Sequence, residues 1–185
     1  MNPAIVIAIV AFVLLLFVFG MYNRLVRARN HCNEAWFNID TELKRRYDLI
    51  PNLVNCVKGY ASYERDLLER ITALRQECVA NTGSPESQAG SENRLVRALS
   101  ALLVRVEAYP DLKASQNYLQ LQTELVNTED RIQAARRFYN GNVRENNNLV
   151  EMFPTNLIAG MGGFTRREYF EIGDVRERAV PDASL

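Results

Sequence analysis

Apolar positions divide this chain into two regimes. From Ala4 to Tyr22 they run almost unbroken, dominated by Ile, Val, Leu and Phe, and no charged side chain occurs before Arg24. As a helix, this run would extend about 28 Å, close to the thickness of a bilayer's hydrocarbon core. A cleaved secretory signal would want a basic start, a shorter apolar stretch and a small-x-small cleavage site. This chain opens "MNPA" and its run ends "FVFGMYNR", so residues 1–23 read as an uncleaved transmembrane anchor.

Beyond the run the spacing changes to steps of three and four. Leu25, Ala28, Cys32, Ala35, Ile39 and Leu43 mark one face of a helix leaving the membrane. From Ile50 the positions Leu53, Val57, Tyr60, Glu64, Leu67, Ile71, Leu74 and Cys78 keep the same rhythm, and Leu95, Leu99, Leu102, Val106 and Tyr109 mark another face. A long helix is expected from about 111 to 153. Its seam is Tyr118, Leu121, Leu125, Thr128, Ile132, Ala135, Tyr139, Asn142, Asn146, Leu149 and Phe153, an alternation that predicts coiled-coil-like packing. No strand-like alternation competes before residue 154. The predicted fold class is all-α: an N-terminal transmembrane helix, then an antiparallel bundle of three to four long helices, then an irregular C-terminal tail.

Breaker residues punctuate this pattern. "ANTGSPESQAGSE", residues 80–92, reads as a loop, and Pro110 interrupts the next helix with Asp111 as a candidate N-cap. "RRYDLIPNLVNCVKGY", residues 45–60, reads as a bend or helix junction: Asp48 would cap a new turn containing Pro51 and Asn52, and Gly59 weakens helix nearby. Pro154 ends the last helix. The expected organisation is an anchor at 1–23, a helical bundle at 24–153 and a tail at 154–185, disordered from about 174.

Two groups of residues point to association. Leu157, Ile158, Phe164, Tyr169 and Phe170 lie beyond the last expected helix and need cover, which predicts docking on the bundle and, in part, across a subunit boundary. Asn142 and Asn146, with Thr128 and Glu129, place polar groups on or beside the apolar seam, where such groups fix register and oligomeric state.

Charge adds orientation. Arg24, Arg27 and Arg29 directly follow the span, which places the C-terminal domain in the cytoplasm and those side chains at the headgroups. The cluster Lys44, Arg45 and Arg46 lies about 30 Å further along a helix and reads as a solvated face. With 22 Lys+Arg against 22 Asp+Glu, nothing calls for nucleic acid as a partner. Three widely spaced cysteines suit a reducing compartment.

The search for chemistry returns little. His31 is the only histidine; with Glu34 it makes half of a carboxylate–histidine metal pair whose second half is missing. "GMGG", residues 160–163, follows a helix rather than a strand and lacks a Walker lysine. No catalytic residue, metal or cofactor is expected.

Three motifs in order resemble the LemA family of bacterial proteins. They are "RRYDLIPNLVNCVKGYASYE" (45–64), "YPDLKASQNYLQLQTELVNTEDRIQAARRFYNGNVRENNN" (109–148), and "FPTNLIAGMGGF" with "EYFE" in the tail. The positions that carry over are Arg46, Asp48, Pro51, Asn52, Lys58, Gly59 and Tyr60 in the first motif. In the second they are Tyr109, Pro110, Leu112, Leu121, Gln122, Thr128, Glu129, Ile132, Arg136, Tyr139 and Asn140, and in the tail Pro154, Asn156 and Phe164. The chain departs at Tyr63, where the family often has histidine. The resemblance implies one N-terminal span, an antiparallel helical bundle and no established catalytic activity, with some members tied to the organisation of internal membranes. The expected function is a non-enzymatic scaffold of the cell's inner membrane. It would be single-pass and self-associating, and would organise the bilayer or membrane-protein partners. The alternative is an accessory or sensory subunit of a membrane protease or phosphatase, with an unrecognised enzyme a distant third.

Overall fold

The computed structural model describes residues 2–60 and 64–172. Their helices are α1 (Pro3–Lys58), α2 (Arg65–Ala80), α3 (Pro85–Val106), α4 (Pro110–Lys113), α5 (Gln116–Glu151) and α6 (Thr155–Met161). No strand occurs among the described residues, and the all-α class holds. The expected disorder from about 174 lies outside the described residues.

Contacts group the chain into two compact units, and the divisions fall within α1 and α5. The first comprises residues up to Phe37 together with Arg137–Glu168; the second comprises Asn38–Arg136 and the tail from Tyr169.

In the first unit the apolar run Ile5–Phe19 stands exposed on α1, a helix long and apolar enough to cross a membrane. The expected stripe follows directly. Leu25, Ala28, Cys32 and Ala35 are all buried, and so are Tyr139, Val143 and Leu149 of α5. Leu25, Ala28, Leu149, Ala159 of α6 and Phe164 form one apolar cluster, with Trp36 edge-on to Tyr139 at 5.2 Å between ring centroids. Burial of such side chains from water is the main driving force here.

In the second unit Ile39, Leu43, Ile50, Leu53 and Val57 of α1 are buried, as are Leu68, Ile71 and Cys78 of α2. Leu95, Leu99, Leu102 and Val106 of α3 and Ile132 of α5 are buried too. Helices α2 and α3 make an antiparallel hairpin, tied near its loop by Arg94–Glu77 and near its open end by Arg105–Glu64 at 2.6 Å.

Four expectations about boundaries are corrected. The loop at 80–92 shrinks to 81–84, because "SP" is a helix start: Ser84 is the N-cap, its Oγ accepting from Ser87 N at 3.4 Å, and Pro85 sits where a missing N–H does no harm. The longest C-terminal helix begins at Gln116, and Asp111 lies inside the first turn of α4 rather than capping it. The tail is not irregular throughout, since 155–161 is helical.

The fourth correction concerns Asp48, Pro51 and Asn52, which mark no junction: α1 continues through them to Lys58, and Gly59 follows its end. Proline inside a helix strands the carbonyl four residues earlier. Here that carbonyl belongs to Tyr47, and Arg75 Nε of α2 donates to it at 2.6 Å. The Pro51 ring itself is exposed. A tertiary hydrogen bond thus replaces the lost helical one.

Candidate functional site

Two polar constellations occupy the interior, one in each unit. In the second unit the face that carries Ile39, Leu43, Ile50 and Leu53 has Arg46 at the intervening seam position, 1% exposed. Its guanidinium donates from Nη1 to Glu129 Oε2 at 2.8 Å and from Nη2 to Glu92 Oε2. Tyr47 Oη donates to the other oxygen of Glu92, and the Cys78 thiol also bonds that carboxylate. Residues from α1 and α2 therefore converge on the buried carboxylate of Glu92 on α3, and Arg46 links it to Glu129 on α5.

The electrostatics say what this cluster can do. Burial alone would lower the Arg46 pKa, but Glu92 and Glu129 more than offset it, so the guanidinium stays charged. Burial, then Glu92, pushes Tyr47 well above the usual phenol range, and the same two causes push Cys78 up to about 12. Neither hydroxyl nor thiol is a base or nucleophile near neutral pH, since both are held protonated as donors. The arrangement is a charge-assisted tie between helices.

In the first unit, polar side chains of α5 hold the extended segment that follows Phe164. Asn147 receives Arg167 N at 2.8 Å on Oδ1 and donates from Nδ2 to Arg167 O at 3.0 Å, so one side-chain amide satisfies both backbone groups of one residue. Asn146 Nδ2 donates to Thr165 O at 3.3 Å, and Tyr139 Oη to Glu168 O at 3.0 Å. Burial raises Tyr139 to about 12, in keeping with a hydroxyl that donates. Arg167 Nη2 reaches Asn33 Oδ1 of α1 at 3.1 Å. In the second unit Asn93 Nδ2 donates to Glu171 O at 3.1 Å, and Arg136 Nη1 donates to Ile172 O. An extended segment with no strand beside it has these carbonyls satisfied by side chains instead.

The residues expected to fix register make these intrachain bonds. Asn146 fastens the chain's own tail, while Asn142 Nδ2 donates to Phe138 O and Thr128 Oγ1 to Glu124 O, each within α5. Glu129 neutralises Arg46. Of the residues expected to dock, Phe164 and Phe170 are buried and Ile158 packs on the α1–α5 cluster within this chain. Leu157 and Tyr169 remain exposed. Gly162 permits the Phe164 contact, since a Cβ there would stand 2.8 Å from the ring, and Gly163 turns at φ +67°.

The remaining expected positions are simpler. Arg24, Arg27 and Arg29 are exposed beside the candidate span, and Arg29 lies 5.2 Å over the Phe164 ring. Arg46, expected on a solvated face, is the buried member of its triplet. His31 is exposed on α1, and no group of three His, Cys, Asp or Glu able to hold a metal occurs among the described residues. Sequence reasoning missed Glu92, Tyr47, Asn147 and Ile172. Glu92 had a signal: it precedes Leu95, Leu99 and Leu102 at seam spacing.

A long apolar helix running directly into a packed stripe, with interior polar groups engaged in holding helices and tail, defines an all-helical protein with one candidate membrane span. The chain belongs to the LemA family, whose sequence model matches residues 35–184. Protein LemA of Metamycoplasma hominis is 31% identical over 165 residues, covering 89% of this chain and 75% of that protein. Magnetosome protein MamQ 2 of Paramagnetospirillum magneticum is 28% identical over 191 residues, covering 90% and 70%. Magnetosome protein MamQ of Magnetospirillum gryphiswaldense is 27% identical over 190 residues, covering 89% and 69%.

Proposed function

We propose that this protein is a non-enzymatic, membrane-anchored helical scaffold that self-associates and organises the bilayer or proteins within it. The observation that carries the reading is on α1 itself. Its exposed apolar run continues without a break into the buried stripe Leu25, Ala28, Cys32 and Ala35, so anchor and bundle share one helix. The likeness to proteins named for the magnetosome supports a role at an internal membrane. Because the tail and the Asn residues are engaged within the chain, self-association falls to the span and to exposed helical faces. On α5, Leu119 and Val126 stand seven residues apart and about half exposed, the spacing of a helix–helix seam.

Arg24, Arg27 and Arg29 orient the protein with residues beyond the span in the cytoplasm of a single-pass inner-membrane protein. Cysteine labelling tests this. An impermeant maleimide should leave Thr82→Cys unmodified in intact cells and label it after lysis, relative to the parent chain; labelling in intact cells reverses the orientation. A second reading, an accessory subunit of another membrane protein, is favoured by a groove of about 470 Å³ between α2 and α3. Arg70, Arg94 and Arg97 rim it over Leu67, Ala98 and Ala101. Stoichiometric co-purification of one protein, lost in Arg70→Glu/Arg97→Glu, would favour that reading.

A further inference from the structure

Met152, Phe153, Leu157 and Met161 are 63%, 79%, 60% and 90% exposed, and all lie in the α5–α6 elbow of the first unit. Beyond its first turn helix α6 carries apolar side chains on both faces. Thr155 and Ala159 are buried and Ile158 packs on the core cluster, while Leu157 and Met161 point away from it. Thr155 and Asn156 make the helix's first turn polar, but Leu157 and Met161 leave an apolar outer face that needs a second apolar environment.

Geometry within the unit says where that environment lies. Trp36 of α1 meets Tyr139, and further along α5 Leu149 shares a cluster with Leu25, so α5 runs antiparallel to α1 and toward the span. Tyr22, the last residue of the apolar run, lies edge-on to Phe164 at 5.5 Å between ring centroids. The elbow is one turn past Leu149, level with the end of the run. Arg24, Arg27 and Arg29, all exposed, stand at the same level, with Arg166 paired to Glu151 at 2.8 Å. Cations in that position complement anionic headgroups, whereas a second copy would bring the same cations against them.

We propose that the α5–α6 elbow is a second membrane contact, with Met152, Phe153, Leu157 and Met161 seated at the boundary between headgroups and acyl chains of the bilayer that α1 crosses. The inference rests on the anchor reading. Full-length protein in phosphatidylcholine–phosphatidylglycerol vesicles tests it, using Phe153→Trp, Met161→Trp and, as a reference inside the span, Val13→Trp, each measured against the parent with its single Trp36. At 153 and 161, lipids brominated on their acyl chains should quench most of the added fluorescence, and aqueous iodide should not. Quenching at 13 with iodide quenching at 153 and 161 overturns the elbow contact and leaves the anchor standing. Protection of 153 and 161 from both quenchers means that protein covers them, which also overturns it. Absence of lipid quenching at 13 removes the anchor reading and this inference with it.

Discussion

Asn147 concentrates much of what holds the tail in the first unit. Its amide both accepts from and donates to the backbone of Arg167. A hydrogen bond contributes about 1 kcal/mol net, and a buried group left without its partner costs more. Asn147→Ala is therefore expected to destabilise the protein by about 2–3 kcal/mol. Hydrogen exchange should accelerate at the Arg167 amide more than in the middle of α5. Unchanged exchange there would mean that the tail is held by its apolar side chains alone.

Cys78 tests the buried cluster by pH. Its pKa rises from 9.0 to about 12 through burial and then Glu92. A raised folded-state pKa favours the protonated form, so this stability is fully present below pH 9 and is lost as pH climbs toward about 12, while the unfolded chain ionises first. The urea midpoint should fall across that window, and more shallowly in Cys78→Ala. Parallel curves would separate the thiol from the effect.

At the scale of elements, Pro51 shows where a sequence rule gave way. Proline, aspartate and asparagine within a few residues favour a break, yet α1 continues because the stranded Tyr47 carbonyl gains Arg75. A partner 28 residues away lies beyond any local rule. Pro51→Ala should stabilise α1 by restoring the helical donor. Arg75→Ala should cost about 1.5–3 kcal/mol in the parent and much less in the Pro51→Ala background, a coupling read from a double-mutant cycle. Additive effects would mean that the Arg75 bond does not compensate for the proline.

The elements themselves were largely legible. Steps of three and four placed Leu25 through Leu43 and Leu95 through Val106 on buried faces. On the α5 seam Tyr118, Thr128, Ile132, Tyr139, Asn146 and Leu149 are buried, while Leu121, Leu125, Ala135 and Asn142 are half-buried. The seam failed at Phe153, which is 79% exposed beyond the helix end. The interior chemistry was less legible because seam spacing says that a position is buried, not what meets it. Arg46 and Asn146 both occupy seam positions. One is neutralised by carboxylates on two other helices, and the other binds a tail carbonyl 19 residues on.

For the whole molecule, the intrachain tail changes the basis for assembly. Phe164, Phe170 and the Asn residues are engaged within one chain, so the self-association proposed above rests on the span and on exposed faces such as Leu119 and Val126. Helical seams of this kind are sensitive to charge, since a carboxylate facing its own copy adds repulsion and desolvation.

The mass of the detergent-extracted, full-length particle tests the scaffold reading most directly. The account predicts protein mass at a multiple of the 21.1 kDa chain, with no second polypeptide, falling toward one chain in Leu119→Glu/Val126→Glu. A single 21.1 kDa chain per particle across the accessible concentration range would contradict it.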